Sequence, residues 1–352
     1  MSGLSINIPM LRRGLWRILG NQTYQEVCAR EWVVSPVSTS LAPPAISLSG
    51  EVEKVTGLGP STNSEHEQLR IKGGQREHAA TVARSLRDVY IFGDYVYKEA
   101  AKIQMGTQPE KLLYHSQDVE VRETASLACS WNDSKYFGHW VTDGITLLMA
   151  GREIAPPIRN SDPLTAHQKQ YLSMLEMSYE PFKEGRVREL IILEDFGQNK
   201  YKRARYEKIR ECFYRHGTQS THPGAIILRG MSGVNRALIN EREVAGYLLS
   251  IGFKVIDPQR QSANEIVEAI KGAQIVVGVE GSHLVHGLFS IATGGTLLVL
   301  QPPFRFNNPH KDYTDCMDLK YAFLVGEACD GGFRIEIDHV KKILDLILDH
   351  ST

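Results

Sequence analysis

Three groups of residues in the 352-residue chain have types and spacings suited to chemistry. The first is His139 with Asp143, four apart in YFGHWVTDGITLLMA (136–150). The stretch reads as a helix, which puts the imidazole and the carboxylate on one face. Either could take a proton from a hydroxyl. The plainer alternative is a half-buried histidine beside an exposed aspartate. The second group is Val277-Gly278-Val279-Glu280-Gly281-Ser282-His283, which follows a buried strand and opens a helix. Small residues admit a ligand to the backbone, and the amides of a helix start attract anions. An ordinary strand-to-helix turn also uses Gly and Ser. The third group is Arg229 and Arg236 with Asn240-Glu241. Two guanidinium groups can clamp a diphosphate, although arginines more often face solvent. Asn240 suits an N-cap; the Asn240-Glu241 pair could instead order the arginine loop or bind a ribose.

The elements needed to position these groups are legible from residue 88 onward. The segment DVYIFGDYVYK reads as a hairpin turning at Gly93-Asp94, and 124–130 as a further strand. Helices are expected over 136–150, 165–178 and 199–215, with a short buried strand at 188–194. After His222-Pro223-Gly224 the pattern is regular: strands at 225–229, 253–256, 274–278 and 296–300, and helices at 240–251, 263–271 and 282–291. Strands about 20 residues apart, alternating with helices, predict a parallel sheet covered on both faces. Ligands bind such sheets at the carboxyl ends of the strands. An amphipathic helix over 337–350 closes the chain. Residues 1–85, rich in Ser, Pro, Gly and Thr, read as irregular.

Composition narrows the classes. Forty basic and 41 acidic side chains give a formal net charge of −1, so there is no global pull toward nucleic acid. Five cysteines without a C-x-x-C pair argue against a zinc site or a disulfide framework. No signal-peptide core or run of about 18 apolar residues is present, and a cytoplasmic protein is expected. P-loop and G-x-G-x-x-G motifs and Asp-x-Asp are absent, which lowers the odds of a kinase, a dehydrogenase or a cation site.

Taken in order, these segments resemble glycosyltransferase family 61. Tyr136 through Asp143 looks like the family's Y-x-H-W-x-x-D helix. Arg229 through Arg236 with Asn240-Glu241 looks like its R…R-x-x-x-N-E segment, and Gly278 through Leu284 like its G-x-H-G-A-x-L turn. Gly252-Phe253 and Leu300-Gln301-Pro302-Pro303 continue the similarity. One departure is Glu280, which stands where the family usually has His.

The resemblance implies an α/β, GT-B-like fold: two Rossmann-like domains facing a cleft, with the C-terminal helix packing back. The expected domains are 1–221 on the acceptor side, 222–335 binding the nucleotide sugar, and 336–352 as the helix. It implies inverting, metal-independent transfer from a nucleotide sugar to a glycan or glycolipid acceptor, of the bacterial surface-polysaccharide (capsule) type, with no cofactor. Asp143 is the expected base, with His139 as the second choice. Arg229, Arg236, Asn240, Glu241, Gly281 and Ser282 would hold the donor phosphates. Glu280, His283 and His286 would contact acceptor or donor. Peripheral membrane association and homo-oligomerisation stay open. The rivals are a non-catalytic nucleotide-sugar scaffold and a nucleotide-sugar epimerase of the same fold.

Overall fold

The structure is a computed structural model that describes residues 4–115, 120–215, 221–230 and 236–350. Residues 231–235, inside the expected arginine segment, lie outside the described residues. The chain divides into two compact units, each assembled from separate stretches. The first comprises Met1–Ser38, Ala79–Thr165 and Met177–Arg205; the second comprises Thr39–His78, Ala166–Glu176 and Tyr206–Thr352. Thr39–His78, Ala166–Glu176 and the start of the last stretch, from Tyr206, thus belong to the second unit although they precede residue 222. Ile46 explains one of them, because its backbone bridges Ala322 in that unit's sheet.

The first unit is built on one mixed sheet. Its strands are β1 (Arg30–Ser35), β2 (Thr81–Phe92), β3 (Tyr95–Lys98), β4 (Ala101–Gln104), β5 (Glu120–Leu127), β6 (Pro157–Arg159), β7 (Glu180–Pro181) and β8 (Glu184–Glu194). The order is β7-β6-β5-β8-β2-β3-β4, with β1 also on β2. Only β7, β6, β5 and β8 run parallel. β2, β3 and β4 are antiparallel because tight hairpins return the chain at once: Gly93, at φ 55°, makes the β2–β3 turn expected at Gly93-Asp94. β1 and β8 join β2 antiparallel through long connections. The sheet is therefore mixed, where a Rossmann-like sheet would be parallel throughout. Leu86, Val89, Ala125, Leu127, Ile158, Val187 and Leu190 form its core.

In the second unit, β9 (His222–Ile227), β10 (Lys254–Ile256), β11 (Ala273–Val279), β12 (Thr296–Gln301) and β13 (Lys320–Val325) make an all-parallel sheet in the order β10-β9-β11-β12-β13. Counted in sequence this is 2-1-3-4-5, a doubly wound order whose direction reverses between β9 and β11. The helices Glu241–Ser250 and Ile337–Asp349 pack on each other, and their apolar stripes meet the sheet: Val244, Leu248, Val340, Ile343 and Ile347 lie in one core with Ile226, Val277 and Leu298. The terminal helix therefore packs on the sheet of its own unit.

Residues 1–85 are more regular than their composition suggests. They contain the helices Ile8–Trp16 and Ser64–Lys72, capped by Asn7 and Asn63. The element expected over 282–291 is shorter, a 3-10 turn at Ser282–Leu284 followed by one α-turn at Val285–Leu288. Gly287 lies flat on the sheet there, since a Cβ would come within 2.7 Å of Val276 Cγ1. Among the described residues no helix is long and apolar enough to cross a membrane.

Candidate active site

In the first unit, the segment Phe137–Arg152 connects the parallel neighbours β5 and β6. It is not a uniform helix: Trp140–Gly144 is wound as a π-helix, a local widening common at functional sites. Thr142 and Thr146 return their hydroxyls to the carbonyls of Gly138 (3.1 Å) and Thr142 (2.9 Å), which satisfies part of the loosened ladder. Gly144 brings the turn against the buried Asp133–Arg159 ion pair.

This geometry joins His139 to Asp143: Nδ1 stands 2.7 Å from Oδ2. Their side chains are 41% and 33% exposed. A third residue, not foreseen from sequence, completes the group. Lys202 follows the carboxyl end of β8 in the helix Lys200–Tyr214, whose start is capped by Asn199. Its buried Nζ donates to Asp143 Oδ1 (2.7 Å) and to the Asp195 carbonyl (2.8 Å). Asp195 is itself held by a two-pronged bond from Arg205, both arms 2.9 Å. Burial opposes the charge on Asp143, but Lys202 and the bond from His139 outweigh it and hold the carboxyl below its usual range. The Nδ1–H of His139 points at a carboxylate, so Nε2 carries the lone pair. That nitrogen has no hydrogen-bond partner among the described residues.

The second unit gathers charge at the carboxyl ends of three adjacent strands. Arg229 follows β9, Glu280-Gly281 follow β11, and Arg305 follows β12. Glu241 orders the arginine loop, one of its two expected roles: its carboxylate accepts from the backbone N–H of Arg229 (2.7 Å) and Gly230 (3.0 Å). Asn240 is not a side-chain N-cap. Its amide clasps the backbone of Ile335 by Nδ2–H to O (2.8 Å) and N–H to Oδ1 (3.2 Å). The Glu280 carbonyl accepts from Nη1 of Arg236 (3.1 Å) and of Arg229 (3.3 Å), and the buried Glu280 carboxylate pairs with Arg236. Gly281 sits at φ 153°, where a Cβ would lie 2.2 Å from Arg229 Nη1, so glycine lets the guanidinium reach the turn.

Crowding leaves a mark on the arginines. Burial, then the charges of Arg229 and Arg305, push Arg236 down to about 10; burial and Arg305 also lower Arg229. The Nε atoms of Arg236 and Arg305, and Nε2 of His283, are sealed from solvent without a hydrogen-bond partner among the described residues. Burial and Arg229 hold His283 well below the usual imidazole range. Donors so arranged suit an anion. Ser282 lies at the start of the short 3-10 turn, so the arginines supply more of the positive field than a helix start could. No cluster of three or more His, Cys, Asp or Glu among the described residues could hold a metal ion.

His286 packs inside the second unit, where its Nδ1 stands 2.8 Å from the Tyr171 hydroxyl and its ring meets His167 edge-on. Burial pushes its pKa down to about 3. An unfolded imidazole binds a proton below about 6.5. Between those values the unfolded chain holds the extra proton, so stability rises with pH and is lost as pH falls. From pH 7.5 to 5.5, His286 should remove about 1.4 kcal/mol of stability. Urea unfolding at both values should show a smaller acid loss, by that amount, in His286→Asn.

The family described as Glycosyltransferase 61 matches residues 137–299. The match marks the chain as a glycosyltransferase. That span holds His139, Asp143, Lys202, Arg229, Arg236 and Glu280, and stops short of Arg305. No curated protein matches this glycosyltransferase. Among solved structures, a mutant flavo di-iron protein from Thermotoga maritima aligns over 78% of this chain and 66% of its own length, at 10% identity and a TM-score of 0.27. A likeness that slight carries no argument about fold or activity.

Proposed function

We propose that the chain is an inverting, metal-independent glycosyltransferase that passes a sugar from a nucleotide-sugar donor to a hydroxyl of a glycan acceptor. The carrying observation is the convergence of Arg229, Arg236 and Arg305 at the carboxyl edge of one parallel sheet, where Nε of Arg236 and Nε of Arg305 have no hydrogen-bond partner among the described residues. A diphosphate supplies the missing acceptors. The same charge stabilises the leaving group as its bond to the sugar breaks. Three guanidiniums there can do the electrostatic work of a divalent cation. The likeness to family 61 is what supports a place in surface-polysaccharide synthesis.

His139 is the better base. A carboxylate held below its usual range by Lys202 is a poor proton acceptor. Asp143 instead fixes the tautomer of His139 and stabilises its protonated form, as an orienting carboxylate does. In one displacement the acceptor oxygen bonds to the anomeric carbon and the bond to the diphosphate breaks. The hydroxyl proton passes to Nε2 of His139.

The nucleoside end of the donor has a matching hollow in the second unit. It holds about 300 Å³ and is lined by Val55, Thr56, Leu58, Gln68 and Phe306, the last directly after Arg305. Apolar walls with a few polar groups suit a base and ribose. Calorimetry with a nucleoside diphosphate and with inorganic pyrophosphate tests both parts. Arg305→Ala should weaken both ligands roughly ten- to a hundredfold. Leu58→Trp should weaken the nucleoside diphosphate alone. Wild-type protein that binds neither ligand removes the donor site; normal nucleotide binding by Leu58→Trp removes only the hollow.

A further inference from the structure

We infer that the first unit seats itself on an anionic lipid surface through the helix Ile8–Trp16 and the turn after it. One side of that helix is fixed to the unit. Asn7 Nδ2 donates to the Lys111 carbonyl (3.1 Å) and to the Tyr97 hydroxyl (3.3 Å), and Arg13 Nε to the Ala100 carbonyl (3.0 Å). Met10 packs on Phe92, Tyr95 and Tyr97. The opposite side carries Ile8, Leu11 and Leu15, spaced i, i+3, i+7 as one stripe and 53%, 49% and 67% exposed. Trp16 and Ile18 extend it at 44% and 80%. Five large apolar side chains held out by the fixed helix and the turn after it need a cover.

Charge indicates which cover. Arg12 and Arg17, both exposed, accompany the stripe, and no acidic residue precedes Glu26. A second copy docked through the same face would bring like charges together. Anionic headgroups complement the guanidiniums, while the stripe enters the acyl boundary and Trp16 sits at the level between. Nine residues cannot span a bilayer, which takes about 20, so the helix lies in the plane of the surface. The inference uses residues of the first unit alone and is independent of the donor site.

Flotation of the full chain with vesicles tests it. Vesicles of phosphatidylglycerol with phosphatidylcholine should carry the wild type upward; pure phosphatidylcholine should carry at least tenfold less. The double variant Leu11→Ser, Leu15→Ser should lose binding to anionic vesicles at least tenfold with its unfolding temperature unchanged, since both side chains are exposed. Arg12→Ser with Arg17→Ser should lose the preference for anionic lipid. Wild-type protein that stays down with both vesicles overturns the inference, as does a leucine double variant that floats like the wild type. A wild-type dimer by light scattering that the leucine variant dissociates also overturns it, because a second copy then covers the stripe.

Discussion

His139→Ala is expected to lower kcat roughly 10²–10⁴-fold, the usual weight of a general base. Binding of the nucleoside diphosphate should change by no more than about twofold, because the phosphate contacts belong to other residues. Asp143→Asn should fall in the same range. The amide keeps the shape but removes the charge that fixes Nδ1–H and steadies the imidazolium. The order of the two effects distinguishes the roles. If Asp143 is the base, Asp143→Asn is the more damaging change, and His139→Ala keeps much of the activity. If His139 is the base, its removal costs at least as much. Steady-state rates with calorimetric affinities decide the matter, provided Lys202 and Asp195 keep the fold intact in both variants.

Glu280→Gln should move two measurements in opposite directions. The Glu280 carboxylate is buried and paired with Arg236, within a cluster where three arginines repel one another. Removing its charge should lower stability by about 3 kcal/mol, as breaking one side of a buried pair does. An incoming diphosphate, however, competes with that carboxylate for Arg236. Without the competitor, affinity for the nucleoside diphosphate should rise roughly tenfold. A Glu280 that binds the sugar or ribose predicts the reverse, weaker donor binding. Thermal unfolding and calorimetry on one sample separate the two roles.

The second unit was legible in the sequence because most of its sheet residues are buried and its strands alternate with helices at regular intervals. Continuous apolar runs such as QIVVG and TLLVL leave few alternatives, and the carboxyl-edge rule then places Arg229 and Glu280 without a structure. Arg305 escaped notice because the strand pattern ends at Leu300-Gln301-Pro302-Pro303, and the arginine lies just past it. Lys202 escaped for another reason. It sits in the helix expected over 199–215, a basic, Tyr-rich stretch in which no single cation stands out, and only the fold shows Lys202 and Arg205 turned inward onto Asp195. A spacing of three on a helix was the available signal. The first unit was harder still. Its sheet mixes hairpins with parallel crossovers, so no single period runs through it. Two early stretches complete the other unit through long-range contacts that local pattern cannot register. The π-turn at Trp140–Gly144 likewise has no signature in residue types, although the His139–Asp143 spacing survives it.

Transfer itself is the most direct measurement. The full chain is incubated with a panel of nucleotide sugars and a glycan acceptor in the presence of a chelator. Released nucleoside diphosphate and acceptor product are both quantified. The expected result is one nucleoside diphosphate per new glycosidic bond, with the anomeric configuration opposite to that of the donor. Conversion of a nucleotide sugar without acceptor, or tight donor binding with neither release nor transfer, would contradict it.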